Sequence, residues 1–115
     1  GGQAPGFNSW FEALAHMQKQ IDHINFDICL LGCGAYGFPL AAYVKSKGKK
    51  AVHLGGALQL LFGIRGKRWE NPDYGVKAWN IPYGSYLSLM NEHWIRPKKN
   101  DIPLNANQVE DACYW

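Results

Sequence analysis

The stretch Phe26-Asp27-Ile28-Cys29-Leu30-Leu31-Gly32-Cys33-Gly34-Ala35-Tyr36-Gly37 decides the fold expected of this chain. Its first six residues are almost wholly apolar over a strand's length, the pattern of a parallel strand covered on both faces. The strand is expected to end at Gly32, where a G-x-G-x-x-G turn begins, and a helix from about Tyr36 to Lys47 is expected to leave that turn directly. In such a turn Gly32 permits the tight bend, Gly34 admits a phosphate where a Cβ would block it, and Gly37 lets the helix pack closely. Pro39 belongs in the first helical turn, where its missing N–H is not needed. Leu40, Ala41 and Val44 mark the packed side of this helix, and Gly48 suits the left-handed residue that closes it.

Working outward, Lys50-Ala51-Val52-His53-Leu54 reads as the next strand of a βαβ unit, followed by a second glycine turn at Gly55-Gly56 and a short helical run from Ala57 to Phe62 closed by Gly63. Upstream, Trp10, Leu14, Met17, Ile21 and Ile24 recur at steps of four and three, which predicts an amphipathic helix over Ser9 to His23 packed on a sheet, with Trp10 in the core. Ser9 followed by Glu12 is a capping-box start. Downstream, Val76 to Asn80 reads as a short strand and Pro82 to Glu92 as a helix weakened by Gly84. Beyond Trp94 the prolines and asparagines predict irregular structure. The organisation expected is a linker or cut point at 1–8, a domain over 9–96 and an irregular tail at 97–115.

The chain has 115 residues, 47% of them hydrophobic and 18% charged, the balance of a globular domain with a packed core. No segment approaches the roughly 18 to 20 apolar residues of a membrane span, and the start lacks the layout of a signal peptide. Opening on Gly1-Gly2-Gln3-Ala4-Pro5-Gly6, it reads as a piece of a longer protein. Cys29, Cys33 and Cys113 have neither disulfide-framework nor zinc-ligand spacing, which fits a reducing cytoplasm, and no metal site can be assigned.

The net charge of +3 is unevenly spread: no Asp or Glu occurs from Ile28 to Trp69, while Lys45, Lys47, Lys49, Lys50, Arg65, Lys67 and Arg68 all fall there. Such a stretch attracts an anionic ligand. The candidate ligand-binding residues are therefore the turn itself (Gly32, Cys33, Gly34, Ala35, Tyr36, Gly37), the second turn with its preceding residue (His53, Gly55, Gly56) and the basic loop (Arg65, Lys67, Arg68). His53 stands at the carboxyl end of a strand, where it is either a partly buried structural residue, a donor to phosphate or an acid or base near neutral pH. Arg65 and Arg68 can grip a pyrophosphate through forked hydrogen bonds, with Trp69 offering a face to a base or sugar. Nucleic acid ranks below a small phosphorylated ligand, because the sequence pI is about 8.8 and no nucleic-acid motif is present. Near the positive end of a helix the Cys33 thiol could be acidified, yet no histidine partner is adjacent and small-residue packing accounts for it better. A nicotinamide enzyme would carry an acidic residue near His53 for the ribose. None is there, whereas Lys49 and Lys50 would suit the extra phosphate of NADP.

Through Phe26 to Gly37, His53-Leu54-Gly55-Gly56 and Gly63-Ile64-Arg65-Gly66-Lys67-Arg68-Trp69-Glu70, the chain resembles bacterial GT-D-type glycosyltransferase-like proteins associated with surface-polysaccharide synthesis. The resemblance covers roughly residues 9 to 96 and implies the carboxyl-terminal part of an α/β, Rossmann-like three-layer sandwich with a mainly parallel sheet. It matches Gly32, Gly34 and Gly55 to the family's glycine turns, and departs from the family at Phe38, His53 and Gly56, where lysine, aspartate and histidine are common. It implies binding of a nucleotide sugar for glycosyl transfer, with manganese or magnesium held only by a region upstream of this chain. The 115 residues alone are then expected to be inactive and to pair with themselves or with the missing amino-terminal half. The alternatives are a fragment of an NADP- or S-adenosylmethionine-dependent enzyme, and a non-catalytic interaction module retaining the fold.

Overall fold

The computed structural model describes residues 6–108 and 110–115; residues 1–5 of the linker expected at 1–8 lie outside the described residues. The fold mixes helices with a small, two-stranded parallel sheet. The chain divides into two compact units, one ending at Leu58 and the other spanning Gln59–Trp115.

In the first unit, helix α1 (Trp10–Asp22) starts where its capping residues predict. Ser9 Oγ accepts from the Glu12 N–H at 3.1 Å, and the Glu12 carboxylate accepts from the Asn8 N–H at 2.8 Å, one residue before the expected partner. Strand β1 (Ile28–Leu31) leads through the glycine turn into helix α2 (Gly37–Ser46), with Pro39 inside its first turn. The end of α2 is a Schellman closure: Gly48 takes φ +76°, its N–H donates to the Lys45 carbonyl, and the Lys49 N–H donates to the Val44 carbonyl. Strand β2 (Lys50–His53) then pairs in parallel with β1, Cys29 opposite Ala51 and Leu31 opposite His53.

Side chains alternate across a strand, so Cys29, Leu31, Ala51 and His53 share one face of this pair and Ile28, Leu30 and Val52 the other. Helix α2 packs against the sheet through Leu40 and Val44, which are buried with Leu31. The second face is open, with Ile28, Leu30 and Val52 all 44% exposed or more. The expectation of a strand covered on both faces is therefore corrected. An apolar run records only that neither face is polar; whether both are covered depends on the elements available. Helix α1 has α2 as its main neighbour rather than the sheet, and Trp10 is half-buried, stacked on Tyr36 of the glycine turn.

The second unit begins within the 3₁₀ helix Gly55–Phe62 and includes the left-handed Gly63 (φ +64°). Ile64 and Ile95 form a parallel bridge, with the Arg65 N–H donating to the Ile95 carbonyl at 2.7 Å. Helix α3 (Lys67–Glu70) buries Trp69. Two expectations fail here. Val76 to Asn80 is not a strand but contains the helical turn α4 (Val76–Trp79), with the left-handed Gly75 and Asn80 at its two ends. So short a segment gives alternation too little length to exclude a single turn. Pro82 to Glu92 is not a continuous helix; it forms turns with one 3₁₀ segment, Leu87–Leu89, because Gly84 at φ +73° breaks the helical run. The tail carries short 3₁₀ turns joined by irregular backbone.

Candidate functional site

The glycine turn leaves the carboxyl end of β1 and enters α2 through a 3₁₀ turn, Gly34–Tyr36. Gly34 adopts φ +53°, and a Cβ there would meet no atom within 4 Å. A left-handed residue facing open space is where glycine is required by conformation and where a ligand can approach the backbone. The N–H groups of Gly34 and Ala35 have no acceptor among the described residues, and the first bond of the turn is donated by Tyr36 to the Cys33 carbonyl. Gly32 has a different task. A Cβ on it would lie 2.9 Å from the Gly55 carbonyl oxygen and from Leu58, so its bare backbone lets the second glycine turn close against the first. Gly55 repeats the pattern of Gly34, with φ +57° and open space around it. Gly56, beside it, is half-buried.

His53 is the side chain that joins these turns. Its Nδ1 lies 3.1 Å from the Leu31 carbonyl oxygen, which also accepts the Leu54 N–H at 2.9 Å. A carbonyl only accepts, so Nδ1 carries the proton and Nε2 is the nitrogen left without a partner among the described residues. The ring sits where a side chain on Gly37 would project. Phe38 packs edge-on to the imidazole, with ring centroids 4.9 Å apart, yet is 77% exposed. That aromatic surface beside the turn was not singled out as a ligand contact from the sequence; its position after a G-x-G-x-x-G motif was the available signal. Tyr36 is fixed by its stack on Trp10, with centroids 5.2 Å apart and planes within 8°.

Burial pushes the Cys29 thiol up from its ordinary value. Burial also raises Cys33, an effect its own backbone amide opposes and the neighbouring Cys29 adds to. The Cys33 thiol is thus raised rather than acidified, with desolvation of the thiolate as the leading cause.

Arg65, Lys67 and Arg68 lie on the second unit, where both arginines have acidic partners that the sequence reading did not assign. Arg65 approaches Glu70 at 3.9 Å and donates to the Asn91 carbonyl at 3.2 Å, while Arg96 pairs with the same Glu70. Arg68 pairs with Glu110 and donates to the Tyr114 hydroxyl at 3.0 Å. Lys67 is exposed. Elsewhere in the basic stretch, Lys47 pairs with Asp22 at 3.6 Å and Lys49 lies over the Phe26 ring.

Among the described residues no three His, Cys, Asp or Glu side chains gather to hold a metal ion. No helix of the described chain is long and apolar enough to cross a membrane. Compared with family models, with curated proteins and with solved structures, the chain matches none.

Proposed function

We propose that the first unit binds the diphosphate of a nucleotide sugar, as part of a glycosyltransferase-like protein whose complete fold is a Rossmann-like three-layer sandwich. The observation that carries this reading is the pairing of two left-handed glycines, Gly34 and Gly55, each facing open space at the carboxyl ends of adjacent parallel strands. Ligands of open α/β sheets bind at such ends. The unpartnered amides of Gly34 and Ala35, at the entrance to α2, supply donors for phosphate oxygens. His53 Nε2 offers a further contact, and the exposed Phe38 ring offers an apolar face to a sugar or base. The uncovered Ile28, Leu30 and Val52 support a third layer, since parallel sheets are covered on both sides in complete folds. No catalytic step is assigned to this chain.

The test is calorimetry and thermal shift with nucleoside diphosphates, NADP and S-adenosylmethionine, on the wild-type chain and on Gly34→Val. Binding of a nucleoside diphosphate that weakens by about tenfold or more in the variant, with far-UV dichroism retained, is the expected result. Preference for NADP or S-adenosylmethionine would replace the transferase reading with a cofactor enzyme. Binding of none of the three would leave an interaction module.

A further inference from the structure

His53 presents a different group to a ligand in each of its protonation states, and the fold fixes which. Its Nδ1 proton is held by the Leu31 carbonyl at 3.1 Å, so in the neutral ring Nε2 has only a lone pair. Nε2 has no hydrogen-bond partner, yet the only buried side-chain nitrogen or oxygen left unpaired among the described residues is Arg65 Nε. Solvent therefore reaches Nε2 of this half-buried residue. The ring stands at the carboxyl end of β2, where the chain turns into Gly55-Gly56, and lies against Gly37 at the start of α2. Among the described residues the elements around it pair no charged side chain with it. Strand β1 supplies Cys29 on the shared face and the glycine turn supplies Cys33, thiols whose protons burial holds, while Tyr36 is stacked on Trp10. On α2, Gly37 and Phe38 meet the ring, Tyr43 is bonded to Asp22 and Lys45 is exposed. Asp27, Lys49 and Lys50 stand at the opposite end of the strand pair.

We propose that His53 meets the diphosphate only as an imidazolium, so that ligand binding in the first unit takes up a proton and tightens as pH falls. This rests on the nucleotide-sugar reading and adds the regulation of that site. An esterified phosphate oxygen is an acceptor without a proton, and so is neutral Nε2; two acceptors cannot share a hydrogen bond, and their lone pairs repel. The Leu31 carbonyl keeps the neutral ring from moving its proton to Nε2, because Nδ1 would then face that carbonyl as a second acceptor. The proton on Nε2 must therefore come from solvent, and the arriving negative charge favours the charged ring. Once charged, the ring donates through both nitrogens, to the Leu31 carbonyl and to the ligand. Histidine changes charge between about pH 5 and 8, which puts the switch in the physiological range.

Calorimetry on the full chain with UDP-glucose and GDP-mannose tests it, since both phosphates of these probes are esterified and keep a fixed charge near neutral pH. Between about pH 6 and 8, heats measured in buffers of different ionisation enthalpy should reveal proton uptake on binding, approaching a whole proton at the alkaline end. Affinity should fall there by up to about tenfold per pH unit, as linkage requires. His53→Gln puts a neutral N–H donor in place of Nε2, so it should bind without proton uptake and with an affinity that stays level over this range. The two-bond proton–nitrogen spectrum of the ligand-free chain should show the His53 ring, identified by its loss in the variant, as the Nδ1–H tautomer at alkaline pH. Binding without proton uptake, a pH slope that survives in His53→Gln, or an Nε2–H tautomer would each overturn the proposal while leaving the nucleotide-sugar reading in place. No binding of either probe at any of these pH values would overturn both.

Discussion

The imidazole of His53 occupies the volume that a side chain on Gly37 would fill, so the first residue of α2 and the last residue of β2 are locked to each other. Gly37→Ala should therefore destabilise the first unit by about 2 kcal/mol, the cost of forcing a methyl into a packed site. In the His53→Ala background the same change should cost about 1 kcal/mol less, because the ring has gone. Urea midpoints of the four proteins measure this coupling, and additive costs would mean that the two residues do not meet.

Neighbours in β1 should respond unequally to substitution. Leu31 is 6% exposed and Leu30 is 44% exposed on the other face. Leu31→Ala should cost about 2–4 kcal/mol through a lost core contact, and Leu30→Thr about 0.5 kcal/mol or less. Equal losses in chemical denaturation would show that the outer face is covered after all.

The thiols of Cys29 and Cys33, raised by burial from an ordinary value of 9.0, should be poor nucleophiles. Alkylation by iodoacetamide at pH 7, followed peptide by peptide, should be about tenfold slower in the native chain than in urea. The stability linkage follows the same sign. The folded state holds these protons more tightly, so their contribution is complete below pH 9.0 and is lost as pH rises above it through the raised folded values. Stability that climbs with alkalinity in this range, and does so only while both cysteines are present, would contradict the assignment.

Tyr43 ties the end of α1 to α2, its hydroxyl donating to Asp22 at 2.7 Å. That hydrogen bond, ahead of the charge of Lys47, holds the Asp22 carboxyl below its ordinary 3.8. Tyr43→Phe should return it towards that value in an NMR titration. A depressed carboxyl stabilises above its unfolded pKa and loses that contribution as pH falls through the folded value. The variant should accordingly show a flatter loss of stability in acid.

The sequence by itself determined the local features of the first unit. The start of α1 at Ser9, the closure of α2 at Gly48 and the glycine turn all rest on backbone preferences and hydrogen bonds within a few residues. The candidate turn was readable for the same reason, since a G-x-G-x-x-G run between a strand and a helix constrains its own backbone. What only the tertiary structure decided depends on partners distant in the chain: β1 has one covered face because α2 packs on one side, and Gly32 and Gly37 are bare because Gly55 and His53 need their space. Arg65 and Arg68 stand in a stretch without acid up to Trp69, yet Glu70, just past it, and Glu110, from the tail, pair with them in the folded chain. Local chemistry sets which charges are present; only packing brings a carboxylate from another segment to the guanidinium it neutralises.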